Sequence, residues 1–293
     1  MRFSPASFLA LATAPTFALN IWPRASSCPA VWTKVAAELQ ADFAGCTADA
    51  HQSIRSSFHD CINNGCDGSL VLTDECGRAE NMGLSKICTK IQGWATKYDV
   101  GVADMLQFAA AQGISACPLG PKVPILIGRK DSSVAAPLHS VPGSRDPLDS
   151  ILAAFSAKGF DGKDVVALMG THSVAFQFFD DPSQAGKTLD STPNVYDTTF
   201  YKETKDGTAP YTLQSDKLLS NSSQTENAWN SFIDNGNAWA TAFVDAWARF
   251  AVIGNDPSQM VDCSSLVPAS RASKKRQAAV AAFTKKMSAK WRL

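Results

Sequence analysis

The chain has 293 residues, enough for one large domain or two small ones, and is 45% hydrophobic against 18% charged, which excludes a disordered or collagen-like chain. Lys and Arg number 27, as do Asp and Glu, so the net charge is zero and neither a basic nucleic-acid binder nor a polyanion-like protein is indicated. No apolar run is long enough to span a bilayer, and eight cysteines fit an oxidising compartment.

Residues 1–20 read as a signal peptide. Arg2 supplies the positive start, the apolar stretch runs from Phe8 to Leu19, and Pro15 would break a buried helix. The rest, 21–293, is expected to be one secreted, extracellular domain with no membrane contact after cleavage. Val31, Val35, Leu39 and Phe43 mark one face of a first helix, and Val102 to Ile114 repeats the pattern through Met105, Leu106, Ala109 and Ala110. Pro147–Phe155 and Lys163–Phe176 predict two more helices, the second opened by Asp161 as N-cap. Trp229–Ile253 carries Phe232, Trp239, Phe243, Trp247 and Phe250, with a break at Asn235-Gly236-Asn237. Arg276–Met287 predicts a last amphipathic helix, and Val123–Ile127 is the one strand-like run. Stretches 61–86, 129–146 and 177–217 are rich in Gly, Asp, Asn, Pro, Ser and Thr and are expected to be ordered loops. Loops of that length need disulfides, ions or a cofactor to hold them. Asn221-Ser-Ser is an N-glycosylation sequon.

Two constellations carry chemistry. In the first, Arg55 and His59 are spaced to share one helix face, and Phe58 lies between them in sequence. A neutral His can accept a proton while a permanently charged Arg stabilises negative charge on a bound oxygen, and Phe58 would keep such a pocket dry. The spacing alone fits an ordinary surface helix equally well. Asp60, Asp67 and Ser69 are the hard oxygen donors that Ca²⁺ prefers, although a turn rich in Asx and Gly would use the same residues as caps. In the second constellation, His172 ends the predicted helix and is followed by Asp190-Ser-Thr192-Pro-Asn-Val195-Tyr-Asp197. A lone His among apolar residues is more often a satisfied core histidine, but each half of the chain repeats one helical His beside one oxygen-rich cluster.

The chain resembles the plant, fungal and bacterial haem peroxidase superfamily, and within it the secreted fungal class II enzymes. The resemblance rests on Arg55-x-x-Phe58-His59-Asp60, Gly65-Cys66-Asp67-Gly-Ser69, Gly170-Thr-His172-Ser173-Val174, Asp190-Ser-Thr192-Pro-x-x-x-Asp197, Gln214-Ser-Asp216 and Met260-x-Asp262-Cys263-Ser, in family order across about residues 28–267. It implies a mainly α fold of about ten helices with very little strand, in a distal lobe (about 28–145) and a proximal lobe (about 146–267), with haem b, iron protoporphyrin IX, between them. His172 would be the iron ligand and Asp216 its carboxylate partner. His59, Arg55 and Phe58 would form the peroxide side, with Asn81 orienting His59. Two Ca²⁺ would be held, the distal one by Asp60, Asp67 and Ser69 with the carbonyls of Asn63 and Gly65. The proximal one would use Ser173, Asp190, Thr192 and Asp197 with the carbonyl of Val195. The resemblance further implies bridges Cys28–Cys263, Cys46–Cys117, Cys61–Cys66 and Cys76–Cys88.

The implied activity is reduction of H₂O₂ with one-electron oxidation of small phenolic or aromatic donors at the haem edge, by a monomer. Three family positions for Mn²⁺ carboxylates hold Ala48, Gln52 and Phe178, and the position of an exposed catalytic Trp holds Ala167. A generic, low-redox type is therefore expected. Phe179 and Leu189 stand where the family usually has a propionate-binding Asp and a Phe beside the proximal ring. The alternative is a secreted haem- and calcium-binding surface or interaction protein with incidental catalysis. A metal-dependent hydrolase has no His-x-x-x-His or similar ligand spacing to support it.

Overall fold

The computed structural model describes residues 27–63 and 65–269, so the expected signal peptide and the helix expected over 276–287 lie outside the described residues. The N-terminal lobe is built from α1 (Val31–Asp42), α2 (Ala48–Asn63), the single turn α3 (Ser69–Leu72), α4 (Ser85–Tyr98) and α5 (Val102–Ala116). Every residue of α5 from Val102 to Ser115 is buried: most are apolar or small, and the polar Asp104, Gln107 and Gln112 find partners inside. α2 lies along α5, and Gly113 permits the approach: a Cβ there would sit 2.8 Å from the carbonyl oxygen of Ala50. Trp32 of α1 closes the lobe against Phe108 at 4.7 Å between ring centroids.

The C-terminal lobe contains α6 (Leu148–Ser156), α7 (Gly162–Met169), α8 (Thr199–Asp206), α9 (Gln214–Asn221), α10 (Glu226–Phe232) and α11 (Gly236–Phe250). Asp161 caps α7 as expected: it accepts from the Asp164 amide at 2.9 Å while Asp164 accepts from the Asp161 amide at 3.1 Å. The expected break at Asn235-Gly236-Asn237 is present, with the Asn235 side chain capping α11 through the Ala238 amide at 3.2 Å. Trp239 of α11 stacks its indole over Gly170, at the C-terminus of α7, and donates Nε1–H to the Ala167 carbonyl at 3.1 Å.

The structure differs from the sequence expectations in five places. The helix expected over 163–176 ends at Met169 and tightens into a 3₁₀ turn over Gly170–Val174. The stretch 61–86 holds α3 and two 3₁₀ turns (Glu75–Gly77 and Ala79–Asn81), and 177–217 holds α8 and the start of α9. These elements are too short for a window of apolar periodicity to register. α4 was not anticipated, although Ile87, Ile91, Trp94 and Ala95 mark its buried face. The strand expected over 123–127 reduces to β1 (Leu126–Ile127), which pairs antiparallel with β2 (Val261–Asp262). That pairing brings the chain end, read with the proximal lobe, back onto the N-terminal one, where Cys28–Cys263 and the bonds of Gln40 and Gln112 to the Leu266 carbonyl hold it.

Because a Cβ at Gly170 would lie 2.2 Å from Trp239 Nε1 in a tightly packed interior, Gly170→Ala is expected to cost about 1–3 kcal/mol of unfolding free energy. A denaturant titration read by tryptophan fluorescence measures it.

Candidate active site

α2 carries Arg55, Phe58 and His59, and the helix buries His59 to 6% exposure. His59 Nδ1 lies 2.6 Å from Asn81 Oδ1, and Asn81 donates its own amide to the Glu75 carbonyl at 2.8 Å. An amide oxygen can only accept, so Nδ1 carries the ring proton and Nε2 keeps the free lone pair. Burial, and then the Arg55 charge, push the His59 pKa down to about 3 against the opposing Asn81 bond, which leaves the ring neutral with Nε2 unprotonated. Arg55 donates to the Met82 carbonyl at 2.9 Å, and burial lowers its pKa to about 10, still fully charged at neutral pH. Phe58 stands edge-on to His59 at 5.5 Å and is stacked between Phe155 and Phe250 at 6.0 and 5.9 Å. It forms an apolar wall drawn from α2, α6 and α11.

His172 lies in the 3₁₀ turn after α7, with Nδ1 3.0 Å from Asp216 Oδ1 and 3.1 Å from Oδ2. Asp216, on the first turn of α9, is 1% exposed. Burial opposes protonation of His172, but the Asp216 charge and hydrogen bond outweigh it and raise the pKa above the usual value. The Arg55 charge opposes protonation of both His172 and His59, so the guanidinium lies within electrostatic range of both rings. Phe200 of α8 stands edge-on to the His172 ring at 5.7 Å. Leu189, which stands where the resemblance has a Phe, is itself buried.

The donor set matches haem. One histidine has its second nitrogen on a buried carboxylate, as an iron-ligating imidazole does. The opposite face offers a neutral imidazole and a fixed cation. Among the relative-specific positions, Ala48 begins α2, Gln52 has a buried Oε1 without a partner, Phe178 is 46% exposed and Ala167 is fully buried. Trp32, Trp94 and Trp229 are core residues, as their sequence contexts suggested.

Both oxygen-rich clusters are assembled beside the histidines. Asp60 follows His59 and accepts from the amides of Gly68 at 3.1 Å and Leu70 at 3.3 Å, while Asp67 accepts from the Ser69 amide at 3.0 Å. Burial pushes the Asp60 pKa up to about 8, and Ser69 Oγ is buried without a partner. Asn63 ends α2 and Gly65 opens the loop that returns toward Cys66. On the other side, Ser173 Oγ lies 3.5 Å from the Val195 carbonyl, Asp190 accepts from the Thr192 amide at 2.8 Å, and Thr192 Oγ1 lies 3.2 Å from Asp197. Burial pushes the Asp190 pKa up to about 7, and its Oδ2 has no partner. A buried carboxylate and a buried hydroxyl without partners are costly unless a cation completes them, and these donors suit Ca²⁺.

Glu75 was not anticipated as a site residue. Its fully buried carboxylate accepts from Asn63 Nδ2 at 2.9 Å and the Ala136 amide at 2.8 Å, while its carbonyl holds Asn81. It therefore links the distal loop to His59. Neighbouring Asp74 has a side chain 80% exposed, and nothing in the pattern distinguishes the two acids. The structure joins Cys28–Cys263, Cys46–Cys117, Cys61–Cys66 and Cys76–Cys88, and leaves no free cysteine among the described residues. Asn221 is exposed at the C-terminus of α9. No helix of the described residues is long and apolar enough to cross a membrane.

The peroxidase family model matches residues 31–235, and the fungal peroxidase extension region matches residues 238–288. Manganese peroxidase 3 of Phlebia radiata is 33% identical over 256 residues, covering 76% of this chain and 71% of that protein. A low-redox potential peroxidase of Taiwanofungus camphoratus is 32% identical over 259 residues, 81% of this chain and 77% of its own length. Versatile peroxidase VPS1 of Pleurotus eryngii is 30% identical over 260 residues, 78% of this chain and 70% of its own length.

Removing the Asn81 amide leaves His59 Nδ1 and the Glu75 carbonyl unpaired in a buried site. Asn81→Ala is therefore expected to cost about 1–3 kcal/mol of stability, read from the urea midpoint and slope.

Proposed function

We propose a generic, low-potential donor range for this chain, which belongs to the peroxidase family with the fungal extension and is a haem-dependent enzyme acting on hydrogen peroxide. The observation that carries the peroxidase reading is a pair of imidazoles whose Nδ1 atoms have different partners, an amide at the buried His59 and a carboxylate at the half-buried His172. Bound between the lobes, haem supplies the iron redox chemistry that cleaves peroxide and draws single electrons from donors.

His172 is the residue that would hold the iron. Asp216 draws its Nδ1 proton and enriches the ring, which favours oxidised iron. On the other face, His59 Nε2 would take one proton from hydrogen peroxide and return it to the departing oxygen as water forms. Arg55 stabilises the charge that develops as the O–O bond lengthens, and a fixed guanidinium needs no reorganisation to do so. Asn81 keeps Nε2 unprotonated and aimed at the pocket, and Phe58 excludes water from it.

The donors proposed are small phenols and aromatic amines that reach the cleft edge. Ala48, Gln52 and Phe178 offer no carboxylate for Mn²⁺, and buried Ala167 offers no oxidisable ring at the surface. Two Ca²⁺, placed as the family resemblance implies, would complete Ser69 and Asp190 and anchor the chain beside each histidine. Secretion as a monomer after signal cleavage fits the four disulfides.

Steady-state assays with H₂O₂ test the donor range: saturable turnover of a simple phenol is expected, with no saturable Mn²⁺ turnover. His59→Ala is expected to slow the peroxide step by about 10²–10⁴-fold. Saturable Mn²⁺ oxidation at a rate matching the phenol contradicts the proposed type.

Chelation is expected to lower the thermal midpoint and to disturb the Soret band, because it uncouples both histidine segments at once. Calorimetry and the absorption spectrum, before and after verified Ca²⁺ removal, measure this. An unchanged midpoint and spectrum contradict the two-ion assignment.

A further inference from the structure

The Cys76–Cys88 bridge closes a loop whose middle holds both distal groups. Cys76 lies in the 3₁₀ turn Glu75–Gly77 and Cys88 in the first turn of α4. Between them, Asn81 Oδ1 accepts from His59 Nδ1 at 2.6 Å, and the Met82 carbonyl accepts from Arg55 at 2.9 Å. Asn81 is fastened toward both ends of this loop. Its side-chain amide donates to the Glu75 carbonyl at 2.8 Å, beside Cys76, and its own carbonyl accepts from the Leu84 amide at 3.0 Å, at the N-cap of α4. The Ser85 hydroxyl also crosses the loop, to the Cys76 carbonyl at 3.3 Å. The covalent link therefore joins the two ends of the segment that aims both His59 and Arg55.

The bridges differ in what they face. Cys46–Cys117 and Cys61–Cys66 are buried at both sulfurs. Cys28 is half-buried, but its bridge to buried Cys263 fastens the chain ends and touches no distal group. Cys76 is half-buried, and with Cys88 it borders an open cleft of about 430 Å³. Thr73, Asp74, Ser85, Thr89 and Gln92 line the rest, and all of these except Thr73 are exposed. A polar cleft of that volume takes a small molecule rather than a folded protein. The exposed Asp74 carboxylate suits an ammonium group, and the hydroxyl and amide side chains suit peptide groups.

We propose that Cys76–Cys88 is a thiol-exchange site, at which a small peptide thiol opens the bridge and so slows the reaction with peroxide. The thiolate attacks Cys76 Sγ, the more accessible sulfur; a new S–S bond forms, the Cys76–Cys88 bond breaks, and its electron pair leaves on Cys88 Sγ, which takes a proton from solvent. A second thiol then attacks the mixed disulfide and releases Cys76, so that two thiols are oxidised to one disulfide while the bridge is reduced to two thiols. The reductant is the peptide thiol itself. The effect on peroxide turnover rests on the peroxidase reading above.

The position of Cys88 favours its departure. It stands in the first turn of α4, whose amide end favours negative charge, and that turn holds no acidic residue. Opening the bridge frees the Glu75–Gly77 turn from α4 and loosens the contacts of Asn81 and Met82. His59 then no longer has its ring proton fixed on Nδ1, and Arg55 loses the carbonyl that aims it. Both act as a pair on the peroxide, so one opened bridge disturbs the base and the cation together.

The test uses the folded, haem-loaded protein, incubated with reduced glutathione and freed of it by gel filtration. One portion is capped with iodoacetamide and mapped by mass spectrometry; another is mixed with H₂O₂ and followed at the Soret band. Glutathione or the cap is expected at Cys76 and the cap at Cys88, with every other bridge closed and haem retained. The Soret response is expected to slow about 10–100-fold, because the acceptor and cation lose their aim, and to recover its rate after oxidised glutathione recloses the bridge. Cys76→Ser/Cys88→Ser is expected to start slow and to ignore glutathione. A bridge that resists glutathione, another that opens first, or an opened Cys76–Cys88 with an unchanged peroxide rate overturns this proposal alone. Opening that releases haem, or that oxidised glutathione does not reverse, also overturns it, since that marks a structural role. A Soret band unmoved by peroxide before any thiol is added overturns the peroxidase reading and this proposal together.

Discussion

His59 and His172 are each pinned through Nδ1, and the chemistry of the partner decides what each ring can do. An amide oxygen holds His59 neutral with Nε2 free, while a buried carboxylate shifts electron density into His172. Exchanging the partners would protonate the base and weaken the ligand. The fold serves this asymmetry. Asn81 is set by the Glu75 carbonyl and Asp216 by the first turn of α9, so neither partner is free to turn away from its ring. Arg55 sits on the same helix face as His59 and its charge reaches both rings.

Keeping the His59 and His172 constellations fixed in their two lobes requires a stiff frame. α5 supplies it in the N-terminal lobe, buried on all sides with α2 laid against it. In the C-terminal lobe, the Trp239 indole over Gly170 fixes where α7 stops and the His172 turn begins. The long irregular stretches are tied down by side chains rather than by sheet. The buried Arg129–Asp104 pair at 2.9 Å also bonds the Ala251 and Leu126 carbonyls, so it joins α5 to the strands and to the end of α11. Four disulfides add to this by limiting the unfolded chain.

The long helices were legible because apolar residues recur on one face: Val31–Phe43 and Val102–Ile114 fall on α1 and α5 with ends shifted by one or two residues. Single turns such as α3 and the 3₁₀ segments were not, since four residues carry no period. At the site, Arg55, His59 and His172 stood out by spacing and context, but their partners came only through family likeness, because Asn81 and Asp216 are distant in sequence from the rings they hold. Glu75 was invisible for a different reason: burial of an acid depends on what folds over it, here the Ala136 loop and Asn63. The Phe200 contact with His172 likewise depends on how α8 packs, which no local pattern encodes.

The central claim is that the two histidines work on opposite faces of one redox centre. The most direct measurement is the absorption spectrum of the haem-loaded protein before and after one equivalent of H₂O₂, followed by a phenol. The expected result is a Soret band that loses intensity within the mixing time and recovers when the phenol is added. Haem that binds but does not respond to peroxide would contradict the assignment of Arg55 and His59, and folded, disulfide-bonded protein that takes up no haem would contradict the account as a whole.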